Sequence, residues 1–186
     1  MLRFLIRLKE RDPQESFLGT VRALAREFGA EAKNPKRTSY GALELDVFAP
    51  SPPDFELFVA SLEPLAEPEF TKDLSVPLPF RDEAELFSEA RSLFNAERYW
   101  ECHEVLEGAW RTKEGDERRL VQGMILVCAA FVHHQKGEDP VALGILQRAI
   151  RQLDFSRASF GEFRVDSLRT NSEQILVGQK FFCFSI

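Results

Sequence analysis

In LRFLIRLK, Leu2, Phe4, Ile6 and Leu8 alternate with Arg3, Leu5, Arg7 and Lys9, a period of two that predicts a strand with one buried face. The period then changes. Phe17, Val21, Leu24, Ala25 and Phe28 form a helical stripe that ends at Gly29. A short segment, residues 30–33, leads into the turn-like NPKRTS, after which Leu43, Leu45 and Val47 alternate again, so the pair reads as a hairpin. Ser51, Pro52 and Pro53 start a second helix with Phe55, Phe58, Val59 and Leu62 on its apolar stripe, and EFTKDLSV, residues 69–76, supplies a last strand.

The order β-α-β-β-α-β over about the first 77 residues resembles the ferredoxin-like split βαβ fold. That fold also carries RNA-recognition domains, whose open sheet face displays stacking aromatics. Here the open face of the first strand offers Arg3, Leu5 and Arg7, and its neighbour offers Glu44, Asp46 and Phe48, which predicts a cross-strand charge ladder instead. Lys33, Lys36 and Arg37 read as a solvated basic turn. Acidic residues outnumber basic ones 30 to 24, giving a net charge of -6, and neither half is basic, so no nucleic-acid partner is expected.

The prolines of VPLPF, residues 76–80, stiffen an extended connector, and helical periodicity takes over beyond it. The expected organisation is α+β: a ferredoxin-like domain over residues 1–78, then an all-α up-and-down helical bundle over residues 82–186. Asp82 and Glu85 make a capping-box start for the stripe Leu86, Phe87, Ala90, Leu93 and Phe94. A second helix carries YWECHEVLEGAW, residues 99–110. A third runs from about Glu117 to Lys136 and closes at Gly137, Asp139-Pro140 opens a fourth, and Asp166 caps a fifth that reaches about Lys180. The apolar FFCFSI that follows is expected to dock on the bundle.

Candidate chemistry concentrates in the second and third bundle helices. At about 100° per residue, Glu107 lies about 40° and Trp110 about 20° from His103, with Tyr99, Trp100 and Leu106 about 40–60° away, so the wheel sets histidine and carboxylate on the apolar face. Glu104 falls at its margin and Glu101 points to solvent. The third helix aligns Arg118, Gln122, Leu126, Ala129 and His133 on one line. An antiparallel hairpin turning near Glu114 levels Glu107 with Gln122, whereas His133 stands about 16 Å farther along at about 1.5 Å per residue and meets the layer of Asn95 or Tyr99. Gly108, Gly123 and Ala129 are expected to let the two helices approach closely.

Two readings of this cluster stay open. In one, Tyr99, Trp100, His103, Glu104, Glu107, Trp110, Arg118, Gln122 and His133 line a small-ligand, acid/base or metal site, with His103 and Glu107 as ligands to a divalent metal. The cluster then serves a hydrolytic or proton-transfer step. In the other, the polar network only fixes helix register in a non-catalytic structural or interaction module. HExxE lacks the second histidine of HExxH, and no Gly-rich phosphate loop occurs. Cys102 and His103 are adjacent and diverge on a helix, so they form no nucleophilic pair, and Cys102, Cys128 and Cys183 read as free thiols. At 186 residues and 44% hydrophobic content, without a membrane span or signal core, a cytoplasmic globular protein is expected. The partner class, small molecule or protein, stays open, as does a homo-oligomer.

FNAERYWECHEVLEGAW, then ERRL, then VQGMILVCAAFVHHQKG closely resembles the small prokaryotic helical family known as domain of unknown function 309. Trp100, Glu101, His103, Glu104, Leu106, Glu107, Trp110, Gln122, Gly123 and His133 stand at the positions of its pattern, over about residues 84–150. The resemblance implies a helical bundle with a structured polar cluster and assigns no reaction. The N-terminal half is an addition that compact members lack.

Overall fold

Strand β1, Leu2–Glu10, keeps the alternation of its sequence: Phe4, Ile6 and Leu8 lie on one side and face helix residues, while Arg3 and Arg7 lie on the other. The computed structural model describes residues 1–11, 16–76, 82–153 and 158–186. These form two compact units, Met1–Pro79 and Phe80–Ile186. The connector VPLPF expected between them lies, beyond Val76, outside the described residues.

In the first unit β1 is followed by α1 (Phe17–Glu27), β2 (Glu31–Arg37), β3 (Leu43–Ala49), α2 (Pro52–Ser61) and β4 (Ala66–Asp73). The strands form one antiparallel sheet in the order β2-β3-β1-β4, the split βαβ arrangement expected from the alternation pattern. Phe4, Ile6 and Leu8 stand opposite Val47, Leu45 and Leu43, and the helices cover that face with Phe17, Val21, Phe55 and Phe58. Phe4 and Phe55 stack with ring centroids 4.1 Å apart. Ser51 caps α2 by accepting from the Asp54 backbone N–H, with two prolines where the first turn needs no donors.

Two sequence expectations change here. NPKRTS is not the hairpin turn: Asn34 to Arg37 belong to β2, and the chain reverses through residues 38–42, where the Thr38 N–H donates to Ala42 O. Pro35 is tolerated because β2 is an edge strand, and the register shifts between Lys33 and Lys36 around Asn34 at φ +51. The basic segment is therefore no solvated turn. Lys36 is buried on Glu44, Arg37 reaches Glu10, and Lys33 pairs with Glu31. The last strand also begins three residues earlier than its pattern suggests, at Ala66, and holds Pro68 on the opposite edge.

The expected charge ladder is present, and Arg7, Lys36, Glu44 and Asp46 in it are buried. Glu44 stands opposite Arg7 and bonds it at 2.8 Å, while its second oxygen meets Lys36 at 2.8 Å; Arg3 reaches Asp46 at 2.9 Å. Burial works against charge on Arg7, and Glu44 outweighs it, holding the guanidinium even more firmly protonated than usual.

The second unit contains α3 (Glu83–Asn95), α4 (Tyr99–Trp110), α5 (Gly115–Gln135), α6 (Asp139–Gln152) and α7 (Val165–Gly178). Each helix through α7 packs on its predecessor, the pattern that short connections impose. Asp82 and Glu85 form the full reciprocal capping box. No described helix is long and apolar enough to cross a membrane. Gly123 does not ease α4 against α5: a Cβ there would stand 2.8 Å from Leu153 Cδ2, so the missing side chain admits the end of α6, and Gly108 has open space around it. The segment after α7 docks on the bundle as expected: Phe181 and Ile186 are buried, and Phe184 packs against Phe94 and Phe131.

Candidate functional site

Helix α4 opens without a side-chain cap at Arg98, and the first turn is held by a fork-to-fork pair in which Arg98 donates to both oxygens of Glu101 at 2.6 and 2.7 Å. Glu101, expected in solvent, is only 2% exposed. Its carboxylate tolerates burial because both oxygens are satisfied and the helix N-terminus is positive. The buried face of α4 is Tyr99, Glu101, Cys102, Val105, Leu106 and Ala109, centred near Cys102 and so about 100° from His103. The aromatic-weighted wheel points elsewhere because Trp100 and Trp110 are only half-buried, whereas small Cys102 and Ala109 sit against the core.

His103 therefore lies at the margin of the core, with Glu104 and Glu107 beside it. The side chains of His103, Glu104 and Glu107 are 25%, 44% and 41% exposed. The imidazole stands between the two acids: Nδ1 is 3.3 Å from Glu104 Oε1, and Nε2 is 3.7 Å from Glu107 Oε1. Neither approach is a hydrogen bond in direction and distance, and Nδ1 is a buried nitrogen without a hydrogen-bond partner. One ligating atom from each of the three residues lies within 4.8 Å of the others.

Next to this cluster is a cleft of about 190 Å³ lined by Glu107, Trp110, Arg111, Gln122 and Ile125. The hairpin of α4 and α5 thus brings Gln122 level with Glu107. The expected contact of the Gln122 amide with His103 does not form among the described residues, and the histidine lies about 100° from the centre of the buried face of α4. Arg118 lays its guanidinium 3.8 Å over the Trp110 ring. Arg111, absent from the sequence-based set, enters the cleft because α4 ends there and its side chain follows Glu107 one turn on.

Three of the nine sequence-based residues stand apart. Tyr99 is fully buried among Phe94 and Phe131, with its hydroxyl donating to Cys183 Sγ at 3.7 Å, and burial pushes that phenol well up from its ordinary range. Trp100 packs half-buried on the core. His133 does not reach the layer of Asn95 and Tyr99; it bonds Glu138 at 2.5 Å just past the end of α5. Gln135 reaches back instead, donating to Glu97 O at 3.0 Å, and Asn95 holds the backbone of Ile186. An amide two residues beyond a histidine carries no sequence signal for that role.

Cys102 and Cys128 lie in the core with sulfurs 3.3 Å apart, and burial first, then its neighbour, pushes the Cys102 thiol well up. In the native protein a thiol reagent is expected to modify only the exposed Cys183 quickly, with Cys102 and Cys128 reacting after denaturation; equal rates for all three sulfurs contradict this packing.

Residues 87–145 match the family described as a domain of unknown function, DUF309. Every candidate residue from Tyr99 to His133 lies within that stretch. A conserved hypothetical protein from Thermus thermophilus, known from its crystal structure, is 34% identical, with 49% of this chain and 95% of that chain covered and a TM-score of 0.44. No curated protein matches the chain. Within the helical unit, residues 87–145 thus carry the DUF309 domain.

Proposed function

We propose that His103, Glu104 and Glu107 bind a divalent cation and that the adjoining cleft admits a small ligand to it. The observation that supports this most is the convergence of three ligating atoms within 4.8 Å at a solvent-reachable margin, one of them on a residue that also lines the cleft. One imidazole and two carboxylates suit zinc or manganese, and metal–ligand bonds of about 2.0–2.2 Å place tetrahedral ligands about 3.4 Å apart. The exposed glutamates reach that spacing by rotation.

Three protein ligands leave coordination positions open. A cation so held lowers the pKa of a bound water toward about 7 and supports hydrolysis of a ligand in the cleft. A closed network that served helix register alone would leave no open edge, whereas this cluster is partly exposed.

Chelator-stripped protein titrated with Zn²⁺ and with Mn²⁺ is expected to bind one equivalent. Affinity should fall at least tenfold in His103→Ala and Glu107→Gln, and should weaken on acidification as protons compete for the imidazole. Binding that is undetectable at millimolar metal, or the same in both variants, removes the reading and leaves a structural cluster.

A further inference from the structure

The cleft beside the cluster also presents a cationic side chain, Arg111, beside the Glu107 carboxylate. Glu107 and Arg111 are four residues apart, a spacing at which such side chains readily pair on a helix, yet no ion pair joins them. Among the described residues the Arg111 guanidinium has no side-chain partner. The same holds for the Gln122 amide on the facing wall, while Arg118 stacks on the Trp110 ring. Elsewhere in the chain, guanidinium groups placed against a carboxylate use it: Arg7 on Glu44, Arg37 on Glu10, Arg98 on Glu101 and Arg169 on Glu173. Two amide donors and a planar guanidinium fork, open to solvent around one small cavity and not engaged by protein side chains, form a complementary surface for an oxyanion.

From this we infer that the cleft selects a small molecule bearing a phosphate or carboxylate group, held by Arg111 and Gln122 with its oxyanion turned toward the cation at His103, Glu104 and Glu107. The assignment of the cation rests on the function proposed above; the anion-binding wall rests on Arg111 and Gln122 alone. The cavity volume, about 190 Å³, lies below the range of about 300–1,000 Å³ typical of drug-sized ligands, which restricts the ligand to a small metabolite-like molecule. Ile125 gives the cleft one apolar wall, and the Trp110 ring, stiffened by Arg118 stacked on it, gives a flat one.

The test uses the full chain with inorganic phosphate and with acetate as probes, each titrated in the presence of a chelator and in the presence of Mn²⁺. Phosphate binding is expected in both conditions, at least tenfold tighter with Mn²⁺, with strong broadening of the phosphate ³¹P resonance by the paramagnetic ion. Arg111→Gln and Gln122→Ala should each weaken binding several-fold or more in both conditions without altering Mn²⁺ affinity. Phosphate favoured over acetate assigns the ligand to phosphate monoesters, and the reverse assigns it to carboxylates; either supports the inference. Binding in chelator that depends on Arg111 supports the anion wall even where Mn²⁺ fails to bind, so the two readings fail separately. Absence of binding by both probes, or binding indifferent to Arg111 and Gln122, overturns the inference.

Discussion

Glu44→Gln is expected to destabilise the chain by about 3–5 kcal/mol, the cost of breaking a buried ion pair by removing one partner. The substitution keeps the shape of the side chain and removes only its charge. Glu44 Oε2 accepts from Arg7 Nε at 3.3 Å and Nη2 at 2.8 Å, and Oε1 faces Lys36 Nζ at 2.8 Å. One carboxylate thus faces two buried cations at once. Without it, Arg7 still has Tyr40, whose hydroxyl accepts from Nη1 at 3.1 Å and donates to Glu69 at 2.9 Å, but that hydroxyl carries no compensating charge. A triple change of Arg7, Glu44 and Lys36 to leucine or methionine removes all three charges at once and should recover most of the loss, because the desolvation penalty disappears with the attraction. Urea unfolding of the full chain, with hydrogen exchange of the β1 and β3 amides to locate the effect, checks both. A Glu44→Gln protein within 1 kcal/mol of the parent, on the scale of about 0–1 kcal/mol for exposed pairs, contradicts the burial of this charge.

This triad also marks where the sequence is legible. Alternation in β1 and β3 specifies strands, faces and a ladder of arginines against acids, because a one-residue slip would turn the apolar face outward; the pairing of Arg7 with Glu44 is set by the register of the folded sheet. The third member is hidden from such a reading. Lys36 sits beyond Asn34-Pro35, a dipeptide that signals a turn in isolation, and only the edge position of β2 lets the chain continue through it. Tertiary placement decides there, not local preference.

The helical unit divides in the same way. Caps and breaks at Asp82, Gly137 and Pro140 are local chemistry, and the helices begin and end close to them. The orientation of α4 is not local. Its wheel holds two large rings on one side and Cys102, Val105 and Ala109 on the other, and which side faces inward depends on the space that neighbouring helices leave. The small side faces in because α3 approaches closely enough for the Cys102 thiol to donate to Ala90 O at 3.1 Å. The sequence pattern identifies His103 and Glu107 as neighbours, at i and i+4, and sets them too deep. Their actual position at the margin leaves the cluster open to solvent, which a buried network would not be.

Phe131→Ala should remove about 3–5 kcal/mol and loosen the segment after α7, since the substitution opens a cavity where the rings around it have little freedom to collapse. Phe131 is fully buried and touches Tyr99, Phe94, Phe181 and Phe184, with centroids 4.7, 5.8, 5.4 and 5.7 Å away. Two of those rings belong to the segment 179–186. The segment is also held by polar contacts: Asn95 accepts from the Ile186 N–H at 2.9 Å, and both Asn95 and Arg91 donate to Ile186 O, at 3.1 and 2.8 Å. Those contacts are part-buried and depend on the rings to keep water away. Losing Phe131 should therefore raise the reactivity of Cys183 and the exchange of the 181–186 amides before global unfolding, as well as lower the midpoint of the bundle. Phe182→Ala is the matched control. Its ring is 38% exposed, so the change should cost about 0.5 kcal/mol or less. Equal effects from the two substitutions contradict the docked arrangement, because only a segment seated on Phe131 distinguishes an inward ring from an outward one.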